Sequence, residues 1–391
     1  MRKYPNYSKN KTFSIPYNND PALIDKLDQL LVKPRDIVVY IYFAPNPLIT
    51  NAGRKFPNLI KYLNQDEFDS KNFDRELFGA LKNAKKCGFK TNLLLNNVLL
   101  GMPHFNSELK NEIPKIQDYL EEIYKDGLLD RVTISNPYLL ELINWDRLKN
   151  VEIKTSVNFQ IKSAKTIEII NNLTKYWLRR KIDAIEIQKD LLRNVNFLER
   201  IKEKVESNIK LSIIINEGCI NNCPYQIAHQ LFACSFPKKI INDNEELVFN
   251  TAKCKYITNK EPWRILDSNW ILPEHLDSYN KIIDEFKLTD RADTTENILK
   301  IAKAYIFNDY NKNDFSNLIS LLRFEKILLP YKLLPADFFS QVGSGKNVPD
   351  KYFIKIWDSI EKYNNETLKQ KPIIKVRGLT KSELHDFIGN S

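Results

Sequence analysis

The fold is decided by residues 210–225, which read KLSIIINEGCINNCPY. The first part is a short apolar run, typical of a buried strand, and two cysteines follow it directly. Gly218 allows a sharp turn, and Pro224 suits the first turn of a helix. The stretch therefore predicts a strand that ends in two thiols, which are soft ligands that suit zinc and iron-sulfur clusters.

Further β-rich runs precede and follow this strand, and helical patterns lie between them. The predicted strands are Phe13–Tyr17, Asp36–Phe43, Lys90–Asn96, Arg131–Asn136, Glu152–Asn158, Ala184–Gln188, Lys210–Asn216 and Phe286–Thr289. The predicted helices are Pro21–Leu31, Asp74–Cys87, Ile116–Tyr124, Pro137–Leu142, Lys165–Leu173, Phe197–Ser207 and Pro273–Glu285. Eight strands that alternate with helices favour an α/β fold of the TIM-like (β/α)8 barrel type, although an open doubly wound sheet shares this alternation.

The chain changes character after the eighth predicted strand. Helical patterns cover Asp293–Asp309, Asp314–Leu329 and Lys351–Tyr363. We therefore predict a barrel over residues 1–292 and a C-terminal helical extension over residues 293–391.

Four of the five cysteines fall within the segment 219–254, as Cys219, Cys223, Cys234 and Cys254. Four thiolates complete the ligand set of an iron-sulfur cluster or of a structural zinc ion. Zinc sites usually show two close cysteine pairs, whereas only one close pair occurs here, which favours the cluster. Disulfides and unconnected core cysteines remain open alternatives, and Cys87 stands outside the set.

Composition limits the cellular setting and the partners. The chain has 391 residues and a formal charge of +10, but its lysines are scattered among acidic residues, so the charge is weak evidence for a nucleic-acid partner. No apolar run approaches the roughly 18 residues of a membrane span, and the N-terminus lacks the apolar core of a signal peptide. We expect a cytoplasmic protein without a membrane partner, in which thiols stay reduced.

Three segments carry a resemblance to a known family. They are Asn216–His229, Thr133–Tyr138 and Phe286–Arg291, and together they resemble the collagenase-like peptidase family U32. The resemblance implies a TIM-barrel-like fold with a 4Fe-4S cluster held by the four cysteines. It also implies oxygen-independent hydroxylation of RNA bases or of a quinone precursor, with prephenate as the oxygen donor, and it places Lys287 and Arg291 near the barrel mouth as substrate-binding residues.

Other polar residues follow predicted strand ends, where barrel enzymes place their sites. Arg54 and Arg193 are candidates for gripping a carboxylate such as that of prephenate, and Asn136 is a further substrate-binding candidate. Asp190 is the candidate carboxylate for positioning or proton transfer, and His229 is a candidate proton donor beside the cysteines. Surface ion pairs and helix capping are the alternative roles for these residues.

Two functions follow from these patterns. The first is an iron-sulfur enzyme, an oxidoreductase that performs oxygen-independent hydroxylation or a related modification of a small molecule, a peptide or RNA. An electron-donor protein is then a further predicted partner. The second is a non-catalytic barrel, stabilised by zinc or by a cluster, that binds a protein or nucleic acid. The sequence shows no paired serine and histidine or cysteine and histidine motif of a protease, so peptidase activity has little support.

Overall fold

The structure is a computed structural model. It describes residues 11–31, 37–49, 63–64, 67–96, 106–173, 176, 180–228, 254, 256–320, 322–325, 327–369 and 373–376.

Eight parallel strands close into a barrel, which confirms the predicted fold class. They are β1 (Thr12–Pro16), β2 (Val38–Phe43), β3 (Lys90–Leu95), β4 (Arg131–Ile134), β5 (Glu152–Thr155), β6 (Ala184–Glu186), β7 (Lys210–Ile214) and β8 (Glu285–Lys287). Each strand pairs with the next one along the chain, and β8 closes the barrel by pairing with β1, where Thr12 lies opposite Glu285. Each of the eight predicted strands overlaps one of these.

Helices and short turns connect the strands. The helices are α1 (Ala22–Leu30), α2 (Ser70–Lys86), α3 (Asn106–Lys125), α4 (Pro137–Leu142), α5 (Ala164–Leu173), α6 (Val195–Lys204), α7 (Arg264–Asp267), α8 (Thr295–Phe307), α9 (Phe338–Gly343) and α10 (Asp350–Leu368). The 3-10 turns are Trp145–Leu148, Val157–Phe159, Lys189–Leu191, Pro273–Tyr279, Ser316–Leu318 and Tyr331–Leu333. None of the described helices combines the length and the apolar character that crossing a membrane requires.

Local sequence signals explain where helices begin and end. The side chain of Asp69 caps α2 by accepting a hydrogen bond from the backbone N–H of Asn72 at 3.0 Å. Gly88, with a φ of +81°, follows the end of the same helix in the left-handed conformation that glycine adopts without strain. These signals set the bounds of α2, so that β3 starts two residues after Gly88.

The C-terminal part contains strands as well as helices. Helix α8 packs against α1 and β1, and the Asn18 side chain donates to Thr295 at its start at 3.1 Å. The predicted helix Asp314–Leu329 is wrong, because β9 (Leu322–Glu325) pairs antiparallel with β10 (Ile373–Val376). The partner strand lies about fifty residues further along, beyond the range of a local periodicity. The division of the chain at residue 292 stays a prediction.

The predicted helix Pro273–Glu285 is also too long. It is a 3-10 turn over Pro273–Tyr279, and Glu285 is the first residue of β8. The carboxylate of Glu285 is fully buried inside the barrel, where it meets cations from two other strands. These distant partners, rather than the local helical pattern, decide its place.

The barrel strands alternate between an apolar and a polar face. Ile153, Ile185 and Phe286 belong to the apolar core, while Lys154 and Glu186, which follow two of them, are fully buried and bonded to each other. Successive side chains of a strand point to opposite faces, so the apolar residues pack under the helices and the polar ones fill the barrel. The interior of this barrel is therefore polar.

The lower half of this interior is built around Arg131, at the start of β4. Its guanidinium donates to Glu285 and, at 2.6 Å, to Glu152, and it lies 3.6 Å from the ring centroid of Tyr40. Burial alone raises the pKa of Glu285, but the charges of Arg131 and Lys154 outweigh burial and hold that pKa well below its ordinary value. At Glu152 burial again raises the pKa, but the charges of Arg131 and Lys210 outweigh burial and lower that pKa to about 2.

The upper half continues the same set of charges. Lys154 donates to Glu285 at 2.6 Å and to Ser212 at 2.7 Å, and it lies 3.1 Å from Glu186. Glu186 in turn accepts from Lys287. Three buried cations (Arg131, Lys154, Lys287) thus face three carboxylates (Glu152, Glu186, Glu285), and these six groups carry no net charge among themselves. The half-exposed Lys210 adds a further cation at Glu152.

Replacing Arg131 by methionine tests the weight of this set. We expect the free energy of unfolding to fall by about 3–5 kcal/mol, because a buried carboxylate loses a charged partner. Urea denaturation measures the change. The control is Lys165→Ala, which breaks the exposed pair of Lys165 with Glu168 at 3.0 Å and costs under about 0.5 kcal/mol. Equal stability of the two variants would contradict the central role of Arg131.

The lowered carboxylate pKa values also predict a pH dependence. Folding lowers the pKa of three carboxylates, those of Glu152, Glu186 and Glu285. In the unfolded chain the pKa of a glutamate is about 4.3. Their stabilisation is present above that pH and is lost as the pH falls towards 2. The free energy of unfolding, measured between pH 7 and 2, should fall less steeply with decreasing pH in Arg131→Met than in the wild type. An equally steep loss would show that other groups control acid stability.

Candidate active site

The mouth of the barrel is lined by polar side chains that follow β6, β7 and β8. The Gln188 side chain is fully buried, and its Nε2 donates to Oδ2 of Asp190 at 3.1 Å. Asp190 lies in the 3-10 turn Lys189–Leu191 that follows β6. The predicted positioning carboxylate is therefore held at the mouth by an amide that sequence reasoning did not single out.

A second group of residues joins β7, β8 and the C-terminal part. Asn216 donates from Nδ2 to the carbonyl oxygen of Thr289 at 2.7 Å, and the backbone N–H of Thr289 donates back to Oδ1 of Asn216 at 2.8 Å. The backbone N–H of Ser320 donates to the carbonyl oxygen of Asn216 at 2.8 Å, and its hydroxyl lies 2.6 Å from that of Thr289. The segment around Ser320 thus forms part of the mouth, which no local sequence signal predicts.

Lys287 and Arg291, the candidates on β8 and just beyond it, are both buried. Lys287 lies one layer below the mouth, where its Nζ donates to both carboxylate oxygens of Glu186 at 2.9 Å. Burial lowers the pKa of Lys287, although the Glu186 charge opposes that shift. Arg291 is 6% exposed. Their predicted role in substrate binding stays a prediction.

Cys223 and Cys254 interact electrostatically. Burial raises the pKa of the Cys254 thiol, and the charge of Cys223 raises it further. The carbonyl of Cys223 accepts a hydrogen bond from the N–H of Gln226 at 3.1 Å, in the first helical turn that Pro224 predicts. The loop before it is tied to the segment after α7 by a 3.2 Å hydrogen bond from Asn269 to Asn221.

These thiols suit a soft metal or an iron-sulfur cluster by their chemistry. Among the residues that the structure describes, no group of three or more histidine, cysteine, aspartate or glutamate side chains is arranged to hold a metal ion. Cys234, the fourth predicted ligand, lies outside the described residues, as do His229 and Arg54. Of the four predicted ligands, the described residues contain three half-buried cysteines, Cys219, Cys223 and Cys254.

The other two predicted residues make contacts within the protein. The Asn136 side chain caps α4 by accepting from the N–H of Tyr138 at 2.9 Å. Arg193 is buried, and it donates from Nε to the carbonyl of Trp270 at 2.8 Å and from Nη1 to the carbonyl of Leu266 at 2.9 Å. Its guanidinium lies 4.4 Å from the ring centroid of Trp270, and burial lowers its pKa to about 10. Their substrate-binding roles stay predictions.

No protein-family model matches the chain. A curated relative from Methanocaldococcus jannaschii, named an uncharacterized protease, is 27% identical over 256 residues, which cover 64% of this chain and 69% of the relative. The predicted resemblance to the U32 peptidase family is confirmed.

Similar solved structures include that of a U32 peptidase. It covers 74% of this chain and 96% of its own, at 14% identity and a TM-score of 0.44. An α-amylase from Lactobacillus plantarum covers 81% of this chain and 83% of its own, at 10% identity and a TM-score of 0.35.

Arg193 offers a test of whether a predicted site residue stabilises the fold. In Arg193→Ala the buried carbonyls of Leu266 and Trp270 lose their donor, at a cost of about 1–3 kcal/mol each. We expect the free energy of unfolding to fall by about 3 kcal/mol in denaturant titrations. The control is Arg200→Ala, since the Arg200 contact to the Asn196 carbonyl is exposed. Wild-type stability of Arg193→Ala combined with loss of prephenate binding would instead support the carboxylate-binding role.

Proposed function

We propose that this U32-type chain is an iron-sulfur enzyme whose reaction takes place at the barrel mouth. Cys219, Cys223, Cys234 and Cys254 would hold a 4Fe-4S cluster. The observation that supports the proposal is the electrostatic interaction of the Cys223 and Cys254 thiols, which lie about thirty residues apart in the segment between β7 and β8. Neither thiol is part of a disulfide, so both are available as ligands.

The reaction would be an oxygen-independent hydroxylation or a related redox modification. When bound, a cluster of this type supplies one-electron transfer. The chain itself would bind and orient the substrate with the polar residues of the mouth, where Gln188 holds the carboxylate of Asp190 in place. That carboxylate would accept or return a proton at its Oδ1, which has no hydrogen-bond donor among the described residues.

The substrate would be a small molecule, a peptide or RNA, with prephenate as the oxygen donor and a separate protein as the electron donor. A cytoplasmic location, in which thiols stay reduced, would suit such a centre.

A second candidate function is peptide-bond hydrolysis, which the name of the curated relative favours. The chemistry needs an activated nucleophile or an activated water. His275, the histidine that the described residues contain, stacks on Phe339 with ring centroids 3.7 Å apart, and its Nε2 lies 3.4 Å from the hydroxyl of Tyr331. Release of dye from labelled casein by the purified protein would support hydrolysis over redox chemistry.

The cysteine assignment predicts a specific loss of metal. Wild-type protein purified without oxygen should be brown and contain iron and sulfide, and Cys223→Ala or Cys254→Ala should lose most of both, because each removes one ligand of four. Visible absorbance and elemental analysis measure the change. The matched control is Cys87→Ala, since Cys87 is a half-buried thiol outside the set, at the end of α2.

Two outcomes would contradict this proposal. Stoichiometric zinc without visible absorbance would favour the non-catalytic, zinc-stabilised barrel that binds a protein or nucleic acid. Equal iron loss in Cys87→Ala and in the other two variants would show that the metal is not bound by the clustered cysteines.

A further inference from the structure

Two lysines lie inside the barrel, and their hydrogen bonds differ. The Nζ of Lys154 meets three oxygens: it donates to Ser212 at 2.7 Å and to Glu285 at 2.6 Å, and it lies 3.1 Å from Glu186. An ammonium group has three N–H donors. Two donors of Lys154 are therefore hydrogen-bonded, and the ammonium also forms an ion pair with the Glu186 carboxylate, so three different oxygens surround it.

Lys287 is different because both of its hydrogen bonds go to one partner. Its Nζ donates to Oε1 and to Oε2 of Glu186, each at 2.9 Å. The remaining contact is with the ring of Tyr42, whose centroid lies 5.2 Å away. The third N–H of Lys287 thus has no oxygen acceptor among the described residues.

The charge of Lys287 is already balanced. Glu186, which is fully buried, faces it with both oxygens, and the whole interior set pairs three cations with three carboxylates. A carboxylate that approached Lys287 would add an uncompensated negative charge to a buried place. A neutral oxygen accepts the third N–H without that cost.

Gln188, which lies just after β6, provides a buried acceptor. Gln188 follows Glu186 by two residues. Between them, the N–H of Ile187 donates to the carbonyl of Ser212 at 3.0 Å. The chain after β6 therefore continues to pair with β7 in the same register. Ile187 belongs to the apolar core, which places Gln188 on the same inner face as Glu186. Because Nε2 of Gln188 donates to Asp190, its Oε1 is the free end, and this oxygen is buried without a donor among the described residues.

We propose that Lys287 and Gln188 form a binding site for a neutral amide group of the ligand. The Lys287 Nζ donates to the amide carbonyl, and the Gln188 Oε1 accepts the amide N–H. Glu186 is the positioning residue, since it fixes the ammonium with both oxygens and neutralises it. The inference rests on the proposed function in so far as it places the ligand at the same barrel mouth.

Side-chain NMR of the full-length protein with 15N-labelled lysine tests the site, with N-methylacetamide as the probe. We expect the Lys287 Nζ resonance to shift in a saturable manner, whereas sodium acetate at equal concentration moves it little. The Lys154 resonance should stay in place because three oxygens already surround its ammonium group. Assignment comes from Lys287→Met, in which the shifting resonance disappears.

Gln188→Leu is the second variant, and it leaves the pair of Lys287 and Glu186 intact. Loss of one hydrogen bond to the probe should weaken its apparent binding roughly tenfold. The matched control is Lys165→Met, an exposed lysine that pairs with Glu168, and it should bind the probe as the wild type does.

A stronger response to acetate than to N-methylacetamide would overturn the amide assignment in favour of a carboxylate site. Absence of a response to either probe would show that the pair of Lys287 and Glu186 only stabilises the barrel. Iron analysis of the same preparations separates the two proposals. If the protein contains iron but does not bind the probe, only the amide site is contradicted. If it binds the probe but contains no iron, only the cluster is contradicted.

Discussion

The structure depends on a set of ion pairs that runs through the interior of the barrel. Removing charges from water is costly, and the cost is offset only when each buried charge meets an opposite one at hydrogen-bond distance. Here Arg131, Lys154 and Lys287 meet three glutamates, and the attraction of these cations outweighs burial enough to lower the carboxylate pKa values. The strands that carry these charges must therefore close around them in one register.

This constraint connects the fold with the candidate site. The lower end of the set, at Arg131 and Glu152, is saturated by partners and stabilises the closed barrel. The upper end, at Glu186 and Lys287, retains an unused donor below the polar mouth. The same interactions that make the interior electrically neutral thus leave hydrogen-bonding capacity at the end where a barrel enzyme meets its ligand.

Strong local patterns explain which predictions succeeded. Short apolar runs between helical segments placed the eight strands, and Gly218 and Pro224 marked the turn that carries Cys223. The polar interior was missed because the strands were interpreted as continuous apolar runs. The alternation in Glu152-Ile153-Lys154 and Glu285-Phe286-Lys287 was the available signal. It indicates two faces but does not say which partners the charged face meets.

The sequence by itself determined the order of strands and helices, the barrel class, the resemblance to the U32 family and the cysteines available as ligands. These features depend on local periodicity and on residue types. Only the tertiary structure decided that Glu285 begins a strand, that Arg193 packs on Trp270 and that Lys287 pairs with Glu186. Each of those outcomes depends on closing the barrel, which brings together charges and rings that lie far apart along the chain.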